Sequence, residues 1–410
     1  MEPLPVAHSV PEIEAQLGKL WARAAKARAE AARAEAARAE AATAAPSATA
    51  TASAEVETNH VAARTSVLNL VVLAGDELAA RRCAATIAGT AGHRPSRSLI
   101  LSEVDGSGPA GLEARVEGLS LSVATGDGRA ETSAETVRVT AHGETGRHLA
   151  SIIVPLLVHD LPVALWWPAD PPFGSRRAER LLPIADLLIV DGSSWSGDGL
   201  GFVAELAVLA EERGVVVVDW ALLRQARWRE ALASVYDLPD LRPHLGAVRR
   251  IAVEYAATEP GDPAGQTNVV RPLSHVAWLA SRLGMTVVEP LHREDNGTRT
   301  ATLRQGDHTV EVLLRPGSSE LGPGSTIRVE ILSRLRGTEL IGSATAGDRT
   351  VEVSIQDNGR ERVRRSYAVP RLTDVELLGR AIEGSSPDPV ALDALAMALA
   401  LLRGPSSRTK

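Results

Sequence analysis

Residues 191–197 read Asp191-Gly192-Ser193-Ser194-Trp195-Ser196-Gly197, a polar loop between an apolar run and helix-forming sequence. A serine nucleophile on a strand-to-helix turn needs a glycine two positions on, so that the strained turn can close. Here Ser193 is followed at that distance by Trp195 and Ser194 by Ser196, so the pattern fails at the residue with the steric reason. Asp191, Ser193 and Ser194 are expected instead to cap the next helix and bind backbone amides. A second constellation, His93-Arg94-Pro95-Ser96-Arg97, puts the imidazole of His93 and the guanidinium forks of Arg94 and Arg97 in one loop, which suits a carboxylate or phosphate, or surface ion pairs.

Two tryptophan clusters stand further along. Trp166 and Trp167 are adjacent, so on a strand they face opposite sides. Either the strand is central and covered on both faces, or one indole lies at the strand's carboxyl end, where open α/β sheets place their crevices. Pro168, Pro171 and Pro172 then stiffen the exit. Trp220, Arg224 and Trp228 recur every four residues, with Arg229 beside them. One continuous helix would stack a guanidinium between two indoles, a composition common at interface hot spots and also compatible with a core position.

Other chemistries lack their residues. Lysine occurs only at Lys19, Lys26 and Lys410, so no amine in between is available for a Schiff base or a phosphate-binding loop. The single cysteine, Cys83, excludes an intrachain disulfide, and the ten histidines form no metal-ligating pair. The apolar run 67–73 leads into a helix through Ala74-Gly75-Asp76, which lacks the glycine-rich turn that admits a dinucleotide pyrophosphate. No cofactor and no metal is therefore expected. A net charge of −7 argues against nucleic acid as a partner. No apolar run approaches the roughly 20 residues of a membrane span and no secretory signal precedes the first helix, so a cytoplasmic protein is expected.

The elements that must position these residues follow from periodicity. Ser9 and Glu12 have capping-box spacing, and Ile13, Leu17, Leu20 and Trp21 share one helical face. A Glu-Ala-Ala-Arg-Ala repeat then gives way to an Ala/Ser/Thr-rich stretch, so 1–21 reads as an amphipathic helix and 22–60 as a low-complexity spacer and linker. From 61 to 240, buried-type strands at 67–74, 98–102, 162–167, 185–190 and 214–219 alternate with helices at 76–91, 147–158, 201–213 and 221–236. Half-exposed strands are expected at 114–123 and 135–141. The fold class is α/β, a mixed, largely parallel sheet with flanking helices. A second, α+β domain is expected over 241–404: a strand at 250–256, a helix at 273–283, an antiparallel meander from 299 to 369 and two C-terminal helices, with 405–410 as a tail.

Several of these segments together resemble the OpcA family, the glucose-6-phosphate dehydrogenase assembly protein or subunit: Val67-Leu68-Asn69-Leu70-Val71-Val72, the loop from His93 to Arg97, the stretch ending in Trp166-Trp167, Ile189-Val190-Asp191 with its serines, and Asp219-Trp220 through Trp228-Arg229. The resemblance is close over 64–230 and looser, by layout, over 250–402. It implies a non-catalytic effector that binds glucose-6-phosphate dehydrogenase, promotes its active oligomer or conformation and so supports the oxidative pentose phosphate pathway. The surfaces expected to meet the enzyme are His93, Arg94 and Arg97, the Trp166/Trp167 edge, and the segment carrying Trp220, Arg224, Trp228 and Arg229. The alternative is a sugar-phosphate sensor or small-molecule enzyme using Arg94, Arg97 and the loop of Asp191, Ser193 and Ser194.

Overall fold

The computed structural model describes residues 4–43, 66–91, 95–104, 108–125, 128–262, 265–384 and 388–404. His93 and Arg94, residues 44–60 of the expected spacer and linker, and the tail at 405–410 lie outside them. The chain divides into two compact units. One comprises 1–166 with 175–185, and the other 167–174 with 186–410, so the expected boundary near 240 falls within the second.

The first unit opens with α1 (Val10–Thr43), which runs through the Glu-Ala-Ala-Arg-Ala repeat. Ser9 Oγ accepts from Glu12 N at 3.4 Å, while the Glu12 carboxylate reaches back to His8 N at 2.8 Å, one residue before the usual capping-box partner. That bond holds the Glu12 carboxyl below its ordinary range. After β1 (Leu68–Ala74) and α2 (Glu77–Thr90) come β2 (Ser96–Val104), β3 (Gly111–Thr125) and β4 (Gly128–His142). The unit is completed by α3 (Leu149–Ile153), β5 (Val163–Trp167), inside which the division between the units falls, and α4 (Arg176–Leu181).

β1 is parallel to β2 and to β5, β2 is parallel to β4, and β3 and β4 form an antiparallel hairpin. This is the mixed, largely parallel sheet expected from the alternation. Ile13, Leu17 and Leu20 bury one face of α1, and Leu20 lies so close over β3 that a Cβ on Gly118 would meet its Cδ2 at 2.7 Å. The helix expected at 147–158 is broken into short pieces, with Pro155 inside a 3-10 turn at Val154–Leu156. Asn69 in β1 is fully buried; its amide donates to Val158 O and Leu161 O, and its Oδ1 accepts from Val158 N, fixing the chain that enters β5.

In the second unit β6 (Leu187–Val190) and β7 (Val216–Asp219) are parallel, with α5 (Leu200–Arg213) between them in sequence. The single helix expected over 221–236 is two: α6 (Trp220–Arg224) ends at Gln225, and α7 (Ala226–Tyr236) begins at the next residue. Then follow β8 (Val248–Ala256), α8 (Val270–Arg282), β9 (Thr286–Arg293), β10 (Arg299–Gln305), β11 (His308–Gly317), β12 (Thr326–Leu335), β13 (Thr338–Ala346), β14 (Thr350–Asp357), β15 (Arg360–Ala368), α9 (Asp374–Glu383) and α10 (Pro389–Arg403).

The sheet order is β15-β14-β13-β12-β8-β11-β10-β9. The expected meander is thus split in two by β8, which runs antiparallel to β12 and parallel to β11. Helix α8 covers this sheet with one strongly apolar face, and α10 packs on α8, α5 and β9.

Candidate functional site

Val190 and Asp219 are paired in register at the carboxyl ends of β6 and β7, so the two polar loops that follow begin side by side. Asp219 accepts from Ala221 N at 2.8 Å, capping α6, and from Gly192 N at 2.9 Å, tying the two strand ends together. A Cβ on Gly192 would lie 2.7 Å from Val270 Cγ1 and 2.8 Å from Asp219 Oδ2, so the close approach requires glycine here. Desolvation pushes the Asp219 carboxyl up to about 6, with the neighbouring Asp191 charge adding to the rise and the backbone donors opposing it.

Asp191 Oδ1 accepts from Ser193 N at 3.2 Å, from Ser193 Oγ at 2.5 Å and from Arg224 Nη1 at 2.7 Å. Arg224 also donates to Ser193 Oγ at 3.1 Å and lies over the Trp220 ring at 5.8 Å. The triangle Asp191, Ser193 and Arg224 is closed. One carboxylate oxygen takes all three donors, so it is a brace between two loops and leaves Ser193 without a free base. Asp191 caps only the 3-10 turn Gly192–Ser194, and Ser194 donates to Asp191 O at 2.9 Å. Helix α5 follows its N-cap Gly199 with no side-chain cap, so the loop does not cap the next helix as expected.

Asn268 locks the loop from the far side, donating to Gly192 O at 2.9 Å and Trp195 O at 3.0 Å while accepting from Val270 N at the start of α8. Behind it lies a buried cluster missed in the sequence: Arg299 reaches Asp198 at 3.2 Å, Asp262 at 3.7 Å and the Tyr255 hydroxyl at 3.3 Å. Its members lie up to 101 residues apart, so no spacing betrays it.

The remaining expected residues are placed differently from one another. Arg97 is buried in β2, bonding the Glu135 carboxylate through Nε at 3.0 Å and Nη2 at 3.2 Å and donating to Leu156 O at 2.9 Å. Its guanidinium holds the unit's interior together, which takes it away from the surface role expected of its loop. Trp166 and Trp167 are 2% and 1% exposed, and all five residues of β5 are buried. Both indoles are therefore covered, and neither lies on an exposed edge.

Trp167 packs edge-on against Phe173, with ring centroids at 5.6 Å, and Phe173 leads through Phe202 to Trp195. Asp170 accepts from Ser196 N and Oγ, stapling the proline-rich exit onto the 195–202 segment. Trp220 is buried, and the break at Gln225 turns Trp228 away from Arg224 onto the His275 ring at 5.5 Å. The expected two-sided stack is thus one-sided. Arg229 Nη1 is drawn in to Leu222 O at 2.9 Å, and its burial lowers the guanidinium below its ordinary range.

No group of three or more potential metal ligands occurs among the described residues, and no helix there is long and apolar enough to cross a membrane.

Within the second unit, a closed carboxylate–guanidinium–serine triangle ties the loop after β6 to α6. Two family descriptions match in succession, both for the glucose-6-phosphate dehydrogenase subunit. That of its N-terminal domain takes in residues 88–207, and that of its C-terminal domain takes in residues 215–395. The chain belongs to the OpcA family.

Among curated proteins it is 31% identical over 172 residues to the OxPP cycle protein OpcA of Nostoc punctiforme, covering 40% of this chain and 34% of that one. It is 27% identical over 154 residues to the OpcA of Synechocystis sp., covering 38% and 30%. The matched region thus spans about a third of the length of these relatives. Among solved structures the WlbA (WbpB) dehydrogenase of Thermus thermophilus superposes with a TM-score of 0.41 at 13% identity, covering 84% of this chain and 97% of that one.

Proposed function

We propose that this protein is a non-catalytic effector that binds glucose-6-phosphate dehydrogenase and favours its active oligomer or conformation, thereby supporting the oxidative pentose phosphate pathway. The observation that carries the reading is the pair of family matches, which lie in order along the chain and together take in most of it. The geometry is in keeping with it, because the residues with the most chemical promise, Asp191, Ser193 and Arg224, are spent on bracing one another. Linkage gives the mechanism. An effector shifts its target only through a difference in affinity between the target's two states. A difference of roughly 1–3 kcal/mol changes the target's ligand affinity about 5- to 150-fold.

The contact surface proposed is α7 and the turn before it, where Trp228 and Arg224 stay partly exposed while Trp166, Trp167 and Trp220 are interior. A half-exposed tryptophan beside arginines is the composition that carries binding energy at interfaces. Sedimentation of the chain with its cognate dehydrogenase should show a complex larger than either protein, weakened about tenfold or more in Trp228→Ala. Two separate boundaries at micromolar concentrations would refute the reading.

A further inference from the structure

A cavity of about 200 Å³ in the second unit lies between the turn of Gln225, helix α8, the first residues of β12 and the β13–β14 hairpin. That is below the roughly 300–1,000 Å³ of sites for drug-sized ligands, which suits a small metabolite. Its lining is electrostatically one-sided. Arg224, Arg271, Arg349 and Arg371 contribute four guanidinium groups, and none of the described residues that line it is an aspartate or glutamate, in a chain whose net charge is −7. Arg224 is neutralised by Asp191. Among the described residues the Arg271 guanidinium bonds only the Ser325 hydroxyl, through Nη1 at 3.2 Å, and its Nε is buried without a partner. Arg349 and Arg371 are exposed and form no ion pair with a described residue. Asp191 and Asp374 lie against Arg224, and the Asp191 and Asp219 charges also act on Arg271. Arg349 and Arg371 have no such counter-charge in ion-pair reach among the described residues, and an anion between the guanidinium groups offsets their repulsion.

Three of the lining residues also carry polar atoms sealed just behind the cavity wall. His275, Gln225 and Thr326 are 2%, 4% and 8% exposed, and His275 Nε2, Gln225 Oε1 and Thr326 Oγ1 are buried without a hydrogen-bond partner. Such atoms are rare in folded proteins and each costs free energy unless something fills the space. Burial holds His275 neutral, its pKa pushed down to about 3, so one ring nitrogen is an acceptor and the other a donor. Trp228 lies against it and offers an aromatic face. Arg349 sits in the β13–β14 turn with a left-handed backbone, φ +58°.

We propose that this cavity is a binding site for a small hydroxylated phosphate monoester, its phosphate held by Arg271, Arg349 and Arg371 and its hydroxyls by Gln225, His275 and Thr326. The inference is independent of the dehydrogenase, since binding is read on this chain alone. Calorimetric titration of the full-length protein with glucose 6-phosphate, glycerol 3-phosphate, inorganic phosphate and glucose tests it. Saturable binding of at least one ester is expected, tighter than inorganic phosphate, with none for glucose. Arg371→Gln and Arg349→Asn should each weaken the ester about tenfold. Both positions are exposed, and asparagine suits the left-handed backbone at 349, so thermal melts of both variants should match the parent. No saturable heat with either ester, an affinity unchanged in both variants, or inorganic phosphate binding as tightly as the esters would overturn the assignment.

Discussion

Asp219 carries a carboxyl that stays protonated to about pH 6 in the native chain, against 3.8 for the unfolded reference. Between those values the folded state binds more protons than the unfolded one, so the stability contributed by this group is greatest below about pH 4 and falls as pH rises through about 6. Allowing for the residue's partial exposure, the change is about 1–3 kcal/mol. Asp219→Asn retains the Oδ1 acceptor for Gly192 N and Ala221 N but does not ionise, so its melting temperature should fall less than the parent's between about pH 4 and pH 7. Parallel profiles would show that the parent's slope has another origin.

His275 contributes the opposite slope. It is neutral in the native state down to about pH 3, and its contribution is lost as pH falls below the unfolded value of 6.5. Tyr236 makes a separate case. Its hydroxyl is buried without a partner and a Cβ on Gly342 would meet it at 2.2 Å. Burial alone pushes its pKa up. Tyr236→Phe should leave stability unchanged or raise it by about 1 kcal/mol in a denaturant titration, because no hydrogen bond is lost; a clear loss would reveal a partner for the oxygen.

At the scale of elements, the turn at Gly192 and the docked end of α1 are the joints most sensitive to side-chain size. Gly192→Ala places a methyl group against Val270 and Asp219, and a loss of about 1–3 kcal/mol is expected by thermal melt. Leu20→Ala removes a buried side chain over Gly118 and should cost about 2–5 kcal/mol in the same assay, unless α1 contributes nothing to the cooperative unit. Most helices and strands were legible because burial on one or both faces imposes a period on the residues. The misses have physical causes. β9 is an edge strand, largely exposed and carrying Pro290, so it shows neither a continuous apolar run nor clean alternation. The break between α6 and α7 has no glycine or proline to announce it; Gln225 is held there by its bond to Arg271 O at 2.7 Å, a partner 46 residues away. Arg97 looked like a surface cation because its carboxylate, Glu135, stands 38 residues on, in the neighbouring strand.

For the whole molecule, the order of segments along the chain was the legible part. The family could be recognised from segments between Val67 and Arg229; the two family matches, over 88–207 and 215–395, take in all of these but Val67-Leu68-Asn69-Leu70-Val71-Val72. The polar loop of Asp191, Ser193 and Ser194 could be read as structural from one missing glycine, although its partner Arg224 could not be paired with it by spacing. The arginine-lined cavity left no trace, because its cations come from separate helices, a hairpin and the segment after β15. The proposed function turns on neither joint nor cavity but on the effect of this chain on a second protein. The direct measurement is the initial rate of the cognate glucose-6-phosphate dehydrogenase against substrate concentration, with and without a saturating amount of the purified chain. A raised rate or lowered half-saturation in its presence, with no turnover by the chain alone, is the predicted result; identical curves, or product formed by the chain itself, would contradict it.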